Sequence, residues 1–227
     1  MAPVRPRALL TAGIVAPLLY AAADLVAGMR WESYSFRDQT ISELGAYGAP
    51  SKPLFTLLLI VVYGLMVAFG VGVWRASGGS RRLKIAGALL IGLGVLALTV
   101  GQFAAMRPRG TAQGLAGTMH LAVGMAAMVM TFSAMGMAGA ALGGRFRIYT
   151  FVTIALALGL GGWALSEAPR IEEGLATPWI GVKERIFWYG YQFWFIVLAL
   201  TLLRRPIAVA RSRDLHGLGR ARGASLP

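Results

Sequence analysis

The sequence predicts an all-α membrane protein, a bundle of six transmembrane helices. Hydrophobic residues make up 57% of the 227 residues and charged residues only 14%, whereas soluble domains carry about 25% charged residues. The mean hydropathy is +0.65. The apolar residues also fall into six blocks. Most of these blocks are about 20 residues long, the length that a helix needs to cross a bilayer. The predicted spans are about 8–29, 54–74, 83–106, 115–142, 146–165 and 179–203.

The basic residues predict an orientation with both termini in the cytoplasm. With the N-terminus inside, fourteen of the 22 Lys and Arg residues fall in inner segments and eight in outer segments. Basic residues are enriched in cytoplasmic loops. We therefore expect residues 1–7 and a basic tail, 206–227, to be cytoplasmic, and the loop 30–53 to be extracytoplasmic.

The first span has an alternative interpretation as a cleaved signal peptide. Arg5 and Arg7 precede an apolar stretch that ends in three alanines, 21–23, a pattern typical of secretory signals. Cleavage there would leave five spans. We favour a retained span, because the apolar run continues past the alanines to Met29.

The loop 30–53 is the least generic stretch of the chain. Thr40 and Glu43 have the spacing of a capping box, which predicts a short helix that begins near Ile41. The aromatic residues Trp31 and Tyr34 are suited to a membrane interface.

The composition excludes several kinds of chemistry. There is no cysteine, so disulfides, thiolate metal sites and thiol redox reactions are excluded. Of two histidines, His120 lies in a span and His216 in the tail, too few for a haem or zinc site built from several histidines. We predict no cofactor and no metal.

The net charge of +13 does not require a nucleic-acid partner. Basic loops orient membrane helices, and a basic tail binds anionic lipid. We therefore predict membrane lipids as partners, with anionic lipid at the tail 206–227, and no nucleic acid.

Polar groups inside spans are costly and are candidates for function. In the predicted topology they cluster towards the outer side, whereas the inner half holds almost no ionisable group. The candidates are Asp24, Gln102, His120, Glu167 and Arg185. In one interpretation several of these groups, with Asp24 and His120 the deepest, converge on an outward-facing pocket under the loop. In the other, they are span ends that meet water, and Glu167 pairs with Arg185 to close the bundle.

Three functional hypotheses follow. The first is binding or transport of a lipid headgroup or small solute in the outward-facing site, without catalysis. The second is an enzyme acting on a lipid or isoprenoid headgroup, with Asp24, Glu43 or His120 as acid or base. The third is a scaffold or homo-oligomer that associates through the small-residue ridge of Gly64, Ala68 and Gly72.

Three segments resemble a bacterial integral-membrane family known as domain of unknown function 998. They are the loop Ile41-Ser42-Glu43-Leu44-Gly45-Ala46 with Gly48-Ala49-Pro50, His120 near the start of the fourth span, and Gly181-Val182-Lys183-Glu184-Arg185 before an aromatic helix. The resemblance implies a six-helix bundle in the bacterial plasma membrane and implies no activity. It adds Ser42 and Glu43 to the candidate ligand-binding residues and supports His120 and Arg185.

Overall fold

The computed structural model describes residues 6–205 and confirms the six-helix prediction. Six helices are long and apolar enough to cross a membrane, and all regular structure in the described part of the chain is helical. The helices are α1 (Pro6–Met29), α2 (Ile41–Leu44), α3 (Lys52–Arg75), α4 (Arg81–Leu98), α5 (Gly114–Leu142), α6 (Gly144–Leu165), α7 (Ala168–Glu172) and α8 (Ile180–Leu203), with a 3-10 turn at Gly101–Phe103. The basic tail, 206–227, lies outside the described residues.

Glycines let α3 approach its neighbours closely. A Cβ on Gly70 would lie 2.7 Å from the Ile91 nitrogen of α4, and a Cβ on Gly72 would lie 2.9 Å from the backbone of Leu9 in α1. Small residues allow such backbone contacts between membrane helices. The predicted association ridge is therefore used partly inside the bundle: Gly72 packs on α1, and only Gly64 faces open space.

Helix α8 packs between α1 and α6, and it is far more buried than α6. In the apolar windows of these helices, 44% of residues are buried in α8 and 11% in α6. Trp194 and Phe195 of α8 are almost completely buried, and the Trp194 indole donates a hydrogen bond to the Thr150 hydroxyl of α6 at 2.9 Å. The polar residues at the start of α8 are therefore surrounded by other helices.

The third predicted span is longer than the helix that forms it, because α4 ends at Leu98. The chain continues without regular helix, and side chains satisfy carbonyls in this stretch. Gln102 donates to the Ala97 carbonyl at 3.0 Å, and the Tyr47 hydroxyl donates to the Phe103 carbonyl at 3.0 Å. Non-helical backbone at membrane depth needs such partners, because lipid offers none.

The three long loops, 30–51, 99–113 and 166–179, meet at one end of the bundle, which we call the loop end. The Gly110 amide donates to the Ile171 carbonyl at 2.9 Å and so joins the second loop to the third. In the first loop the predicted capping box is present: Thr40 and Glu43 cap each other across the first turn of α2. This cap fixes the position of Glu43 and Ser42.

Candidate functional site

Asp24 is bound by groups of α8 at the loop end. It is completely buried on α1, and the Arg185 Nε and Nη2 atoms each donate to one of its carboxylate oxygens at 2.8 Å. The Tyr189 hydroxyl donates to the same carboxylate. Arg185 and Tyr189 are one helical turn apart and so face the same way. The buried charge of Asp24 is therefore compensated by a bidentate ion pair.

The other donors of Arg185 are also satisfied. Nη1 donates to the carbonyls of Phe36 at 2.7 Å and Gly181 at 3.1 Å, and Nη2 donates to the Tyr34 hydroxyl at 2.8 Å. Burial raises the pKa of the Tyr34 phenol, so it remains protonated and donates to the Thr40 carbonyl at 2.8 Å. This group of side chains, which we call the Asp24 anchor, fastens the first loop to α1 and α8.

A second ion pair, which we call the loop clasp, joins the three loops. The Arg109 Nε and Nη2 atoms donate to the two carboxylate oxygens of Glu43, each at 2.9 Å. Nη1 of Arg109 donates to the Leu175 carbonyl at 3.0 Å. Glu43 is 2% exposed, so the clasp holds one residue from each loop around a buried carboxylate.

Glu167 does not pair with Arg185. Its carboxylate accepts from the Lys183 ammonium group, which also lies 4.1 Å from the centroid of the Trp163 ring. This pair links the end of α6 to the start of α8. Glu167 therefore connects these two helices and is not part of the Asp24 anchor.

A cavity of about 580 Å³ lies beneath the loops, between α1, α3, α4, α5, α6 and α8. Thr40 of the first loop and Lys52 at the start of α3 line the cavity near its ceiling. The ceiling, which we call the roof, also carries the polar side chains of Ser42, Gln102, His120 and Glu184. Three of them are predicted candidates, so the structure brings Ser42, Gln102 and His120 together. It does not bring Asp24, Glu43, Glu167 or Arg185 to the cavity wall.

The roof groups are only partly satisfied by the protein. The Glu184 carboxylate accepts from the Ile41 amide and, at 3.4 Å, from the Ser42 hydroxyl. His120 Nδ1 lies 2.7 Å from the Ala104 carbonyl. Because a carbonyl only accepts, we assign the proton to Nδ1. Nε2 has no partner among the described residues.

Below the roof most of the cavity wall is apolar, and aromatic residues form the part contributed by α1 and α8. Tyr20 of α1 stacks on Trp188 at a centroid separation of 5.9 Å, and Trp188 lies 5.2 Å from Tyr191. The hydroxyls of Tyr20 and Tyr191 have no hydrogen-bond partner within residues 7–205. In that range every side-chain N or O atom that is inaccessible to solvent has a hydrogen-bond partner. The two unpaired hydroxyls are therefore accessible from the cavity.

The cavity opens sideways between α5 and α6. No residue of α5 before Thr131 is buried, and no residue of α6 after Ala157 is buried. Most of the cavity-lining residues that are also exposed belong to these two helices. The exposed lining residues of α5 and α6 are Leu121, Gly124, Met125, Leu158, Gly162 and Leu165, and Ala168 at the start of α7 is the remaining one among the described residues. This gap faces the side of the bundle.

The candidate residues chosen from the sequence did not include Arg109 or Glu184. Adjacent residues of a helix point about 100° apart, so Glu184 and Arg185 cannot both face Asp24. If Arg185 pairs with Asp24, this spacing predicts that the Glu184 side chain contacts a different neighbour. Arg109 lies in a loop without helical periodicity, and its sequence position carries no comparable signal.

Metal binding has no visible site in the described chain. Within residues 6–205 no three His, Asp or Glu side chains are grouped so that they could hold a metal ion. The absence of a metal and of a cofactor stays a prediction.

Comparison with known proteins identifies a family and no activity. No curated protein and no solved structure matches this sequence. One family model, described as "Protein of unknown function (DUF998)", matches residues 14–201, which include most of each of the six long helices. This match agrees with the resemblance of the first loop and of the start of α8. The chain therefore belongs to the DUF998 family.

Proposed function

We propose that this protein binds an amphipathic molecule in the cavity, with the polar part under the roof and the apolar part towards the gap between α5 and α6. The observation that carries the proposal is a cavity of about 580 Å³ that combines a polar roof, apolar walls and a side opening. Ligand cavities range over roughly 300–1,000 Å³ and are mostly apolar with a few placed polar groups. Lipid-like molecules have this distribution of polarity.

The surroundings of Asp24 and Glu43 give no support to an acid–base role for either. Each carboxylate is held by two donor atoms of an arginine, and such bidentate pairs fix the position of the carboxylate. An enzyme would have to work with His120 and Glu184, which lie at the cavity. No observation favours a reaction there, so binding is the simpler proposal.

The binding test places a bulky side chain in the gap between α5 and α6. A Cβ on Gly124 or Gly162 meets no atom within 4 Å, so Gly124→Phe and Gly162→Phe should fold and occupy the opening. Gly159 of α6 is equally open but does not line the cavity, so Gly159→Phe is the matched control. Native mass spectrometry of protein purified in maltoside detergent should show a co-purifying mass in the wild type and the control, and its loss in both gap variants. No bound mass in the wild type, or equal occupancy in all variants, would contradict the proposal.

We also propose that the loop end faces the outside of a bacterial plasma membrane, as the distribution of basic residues favours. Since the chain has no cysteine, single cysteines at exposed positions report each end. Glu32, Thr111 and Glu173 mark the loop end, and Arg81 and Arg145 mark the other. A membrane-impermeant thiol reagent on intact cells should label only the first three. Labelling only of the other two would reverse the orientation.

A further inference from the structure

We infer that the molecule bound in this cavity is an organic cation, with an amine or quaternary ammonium group beside the Glu184 carboxylate and against the aromatic wall. The inference rests on the proposed function and names the chemical class of its ligand. Two independent features support it, the charge of the roof and the aromatic wall, and the hydrogen-bond acceptors of the roof are compatible with it.

The roof has a carboxylate without a cationic partner. None of the ion pairs formed within residues 7–205 includes Glu184. The neighbouring Arg185 directs its donors to the Asp24 anchor. Lys52 also lines the cavity, but its ammonium group donates to the Gly45 carbonyl at 2.9 Å and lies 4.6 Å from the centroid of the Tyr47 ring. The contact with Gly45 uses one of the three N–H donors of Lys52, and its ammonium group forms no ion pair with Glu184.

An uncompensated carboxylate in an apolar cavity is unfavourable. For Glu184 the protein supplies the Ile41 amide, a long contact from Ser42 and an interaction with the Trp188 indole, which is less than the ion pair that Asp24 receives. A positive charge in the cavity would complete the set of partners. A phosphate or sulfate group in the same place would be repelled by the carboxylate.

The aromatic wall is also suited to a cation. Trp188 is one helical turn from Glu184, so the two side chains are neighbours on α8. Trp188 stacks on Tyr20, and Tyr191 lies 5.4 Å from Phe187, which gives a continuous aromatic surface. Ring faces attract ammonium groups, including quaternary ones that have no N–H to donate.

The roof offers hydrogen-bond acceptors near Glu184, and the Tyr20 and Tyr191 hydroxyls below it can donate or accept. Gln102 uses its amide nitrogen on the Ala97 carbonyl, which leaves its oxygen and a second N–H available. His120 uses its protonated Nδ1 on the Ala104 carbonyl, which leaves the lone pair of Nε2 when the ring is neutral. Primary or secondary ammonium groups, which carry donors, match this arrangement.

The test compares two ions of the same shape and opposite charge, tetraphenylphosphonium and tetraphenylborate. Equilibrium dialysis of the full chain in neutral maltoside micelles gives their affinities. The wild type should bind the phosphonium ion at least about tenfold more tightly than the borate, a difference of about 1.4 kcal/mol.

Glu184→Gln should remove this preference. The glutamine oxygen still accepts from the Ile41 amide, so the roof keeps its hydrogen bond, while phosphonium affinity falls about tenfold. Glu173→Gln is the control, because Glu173 is an exposed carboxylate of the loop end outside the cavity. It should leave both affinities unchanged. If Glu184→Gln does not fold, Glu184→Asp keeps the charge and should keep the preference with a lower affinity.

The outcomes separate the two proposals. Equal or tighter binding of the borate, or unchanged phosphonium affinity in Glu184→Gln, overturns the cation assignment while cavity binding stands. Binding of neither ion, in wild-type protein that also carries no co-purified molecule, overturns the proposed function itself.

Discussion

Asp24 and Glu184 are two carboxylates at the same end of the bundle with opposite surroundings. Asp24 receives two hydrogen bonds from Arg185 and one from Tyr189, and it is completely buried. Glu184 stands next to Arg185 in sequence but lines the cavity, and it accepts from the Ile41 amide and weakly from Ser42. Asp24 is closed off from the cavity, whereas Glu184 is partly exposed and has fewer charged partners.

The difference separates a structural charge from a candidate binding charge. A buried carboxylate whose oxygens are saturated by protein donors stabilises the fold and has nothing left for a ligand. A carboxylate at a cavity wall that lacks some of its partners can gain them from a ligand, and this gain favours ligand binding. The polar candidates therefore divide into the Asp24 anchor and loop clasp on one side and the roof on the other.

The largest expected effect is on the Asp24 anchor. Arg185→Met leaves Asp24 buried without a cation and should cost about 3–5 kcal/mol in the free energy of unfolding. Thermal unfolding in detergent measures it. The double variant Asp24→Leu/Arg185→Met removes both charges and should recover much of the loss. A single variant as stable as the double one would mean that the anchor contributes little.

The loop clasp should give the next largest effect. Arg109→Ala leaves Glu43 with only its capping contacts and should cost about 1–3 kcal/mol. Hydrogen exchange should increase in the three loops and stay unchanged in the long helices. Arg107→Ala is the control, since this exposed neighbour makes no side-chain ion pair within residues 7–205. Equal exchange in both variants would contradict the clasp.

Glu184→Gln should change the stability least among the buried carboxylates, by less than about 1 kcal/mol, because an acceptor for the Ile41 amide remains. The measurement is the same thermal unfolding. A loss comparable to that of Arg185→Met would make Glu184 a structural residue and would remove the distinction between the roof and the Asp24 anchor.

The smallest effect belongs to Asp38, on the surface of the first loop. The Arg37 guanidinium and the Trp179 amide donate to it and lower the pKa of its carboxyl below the usual 3.8. A lowered pKa stabilises the fold above the unfolded value, and this contribution is lost as the pH falls through the folded value. Asp38→Asn should therefore be slightly destabilised at pH 7 and equal to the wild type well below pH 3.8. Glu32→Gln, at an exposed carboxylate of the same loop that forms no ion pair within residues 7–205, is the matched control.

The sequence predicted features that depend on local pattern. Apolar blocks define the six long helices because hydropathy over about 20 residues is a property of the segment itself. The capping box of Thr40 and Glu43 spans four residues and was found from spacing alone. The sequence also identified Asp24 as a costly polar group inside a span, without indicating the partner that compensates it.

The identity of that partner did not follow. Arg185 is 161 residues away from Asp24, and which face of α8 turns towards α1 depends on the packing of the whole bundle. The end of α4 at Leu98 was missed for a related reason. Hydropathy reports composition, and the apolar stretch after Leu98 has the composition of a span. Its backbone leaves the helix where carbonyls find partners in Gln102, Tyr47 and His120.

The gap between α5 and α6 has a consequence for how occupancy is set. A molecule that enters there arrives from the hydrocarbon, so the relevant concentration is the one dissolved in the bilayer and not the one in water. Each added methylene favours the lipid phase by about 0.8 kcal/mol, which raises the local concentration about fourfold without any new contact to the protein. Apparent affinities measured against aqueous concentration will thus follow the length of an alkyl chain, even when the headgroup under the roof is the same.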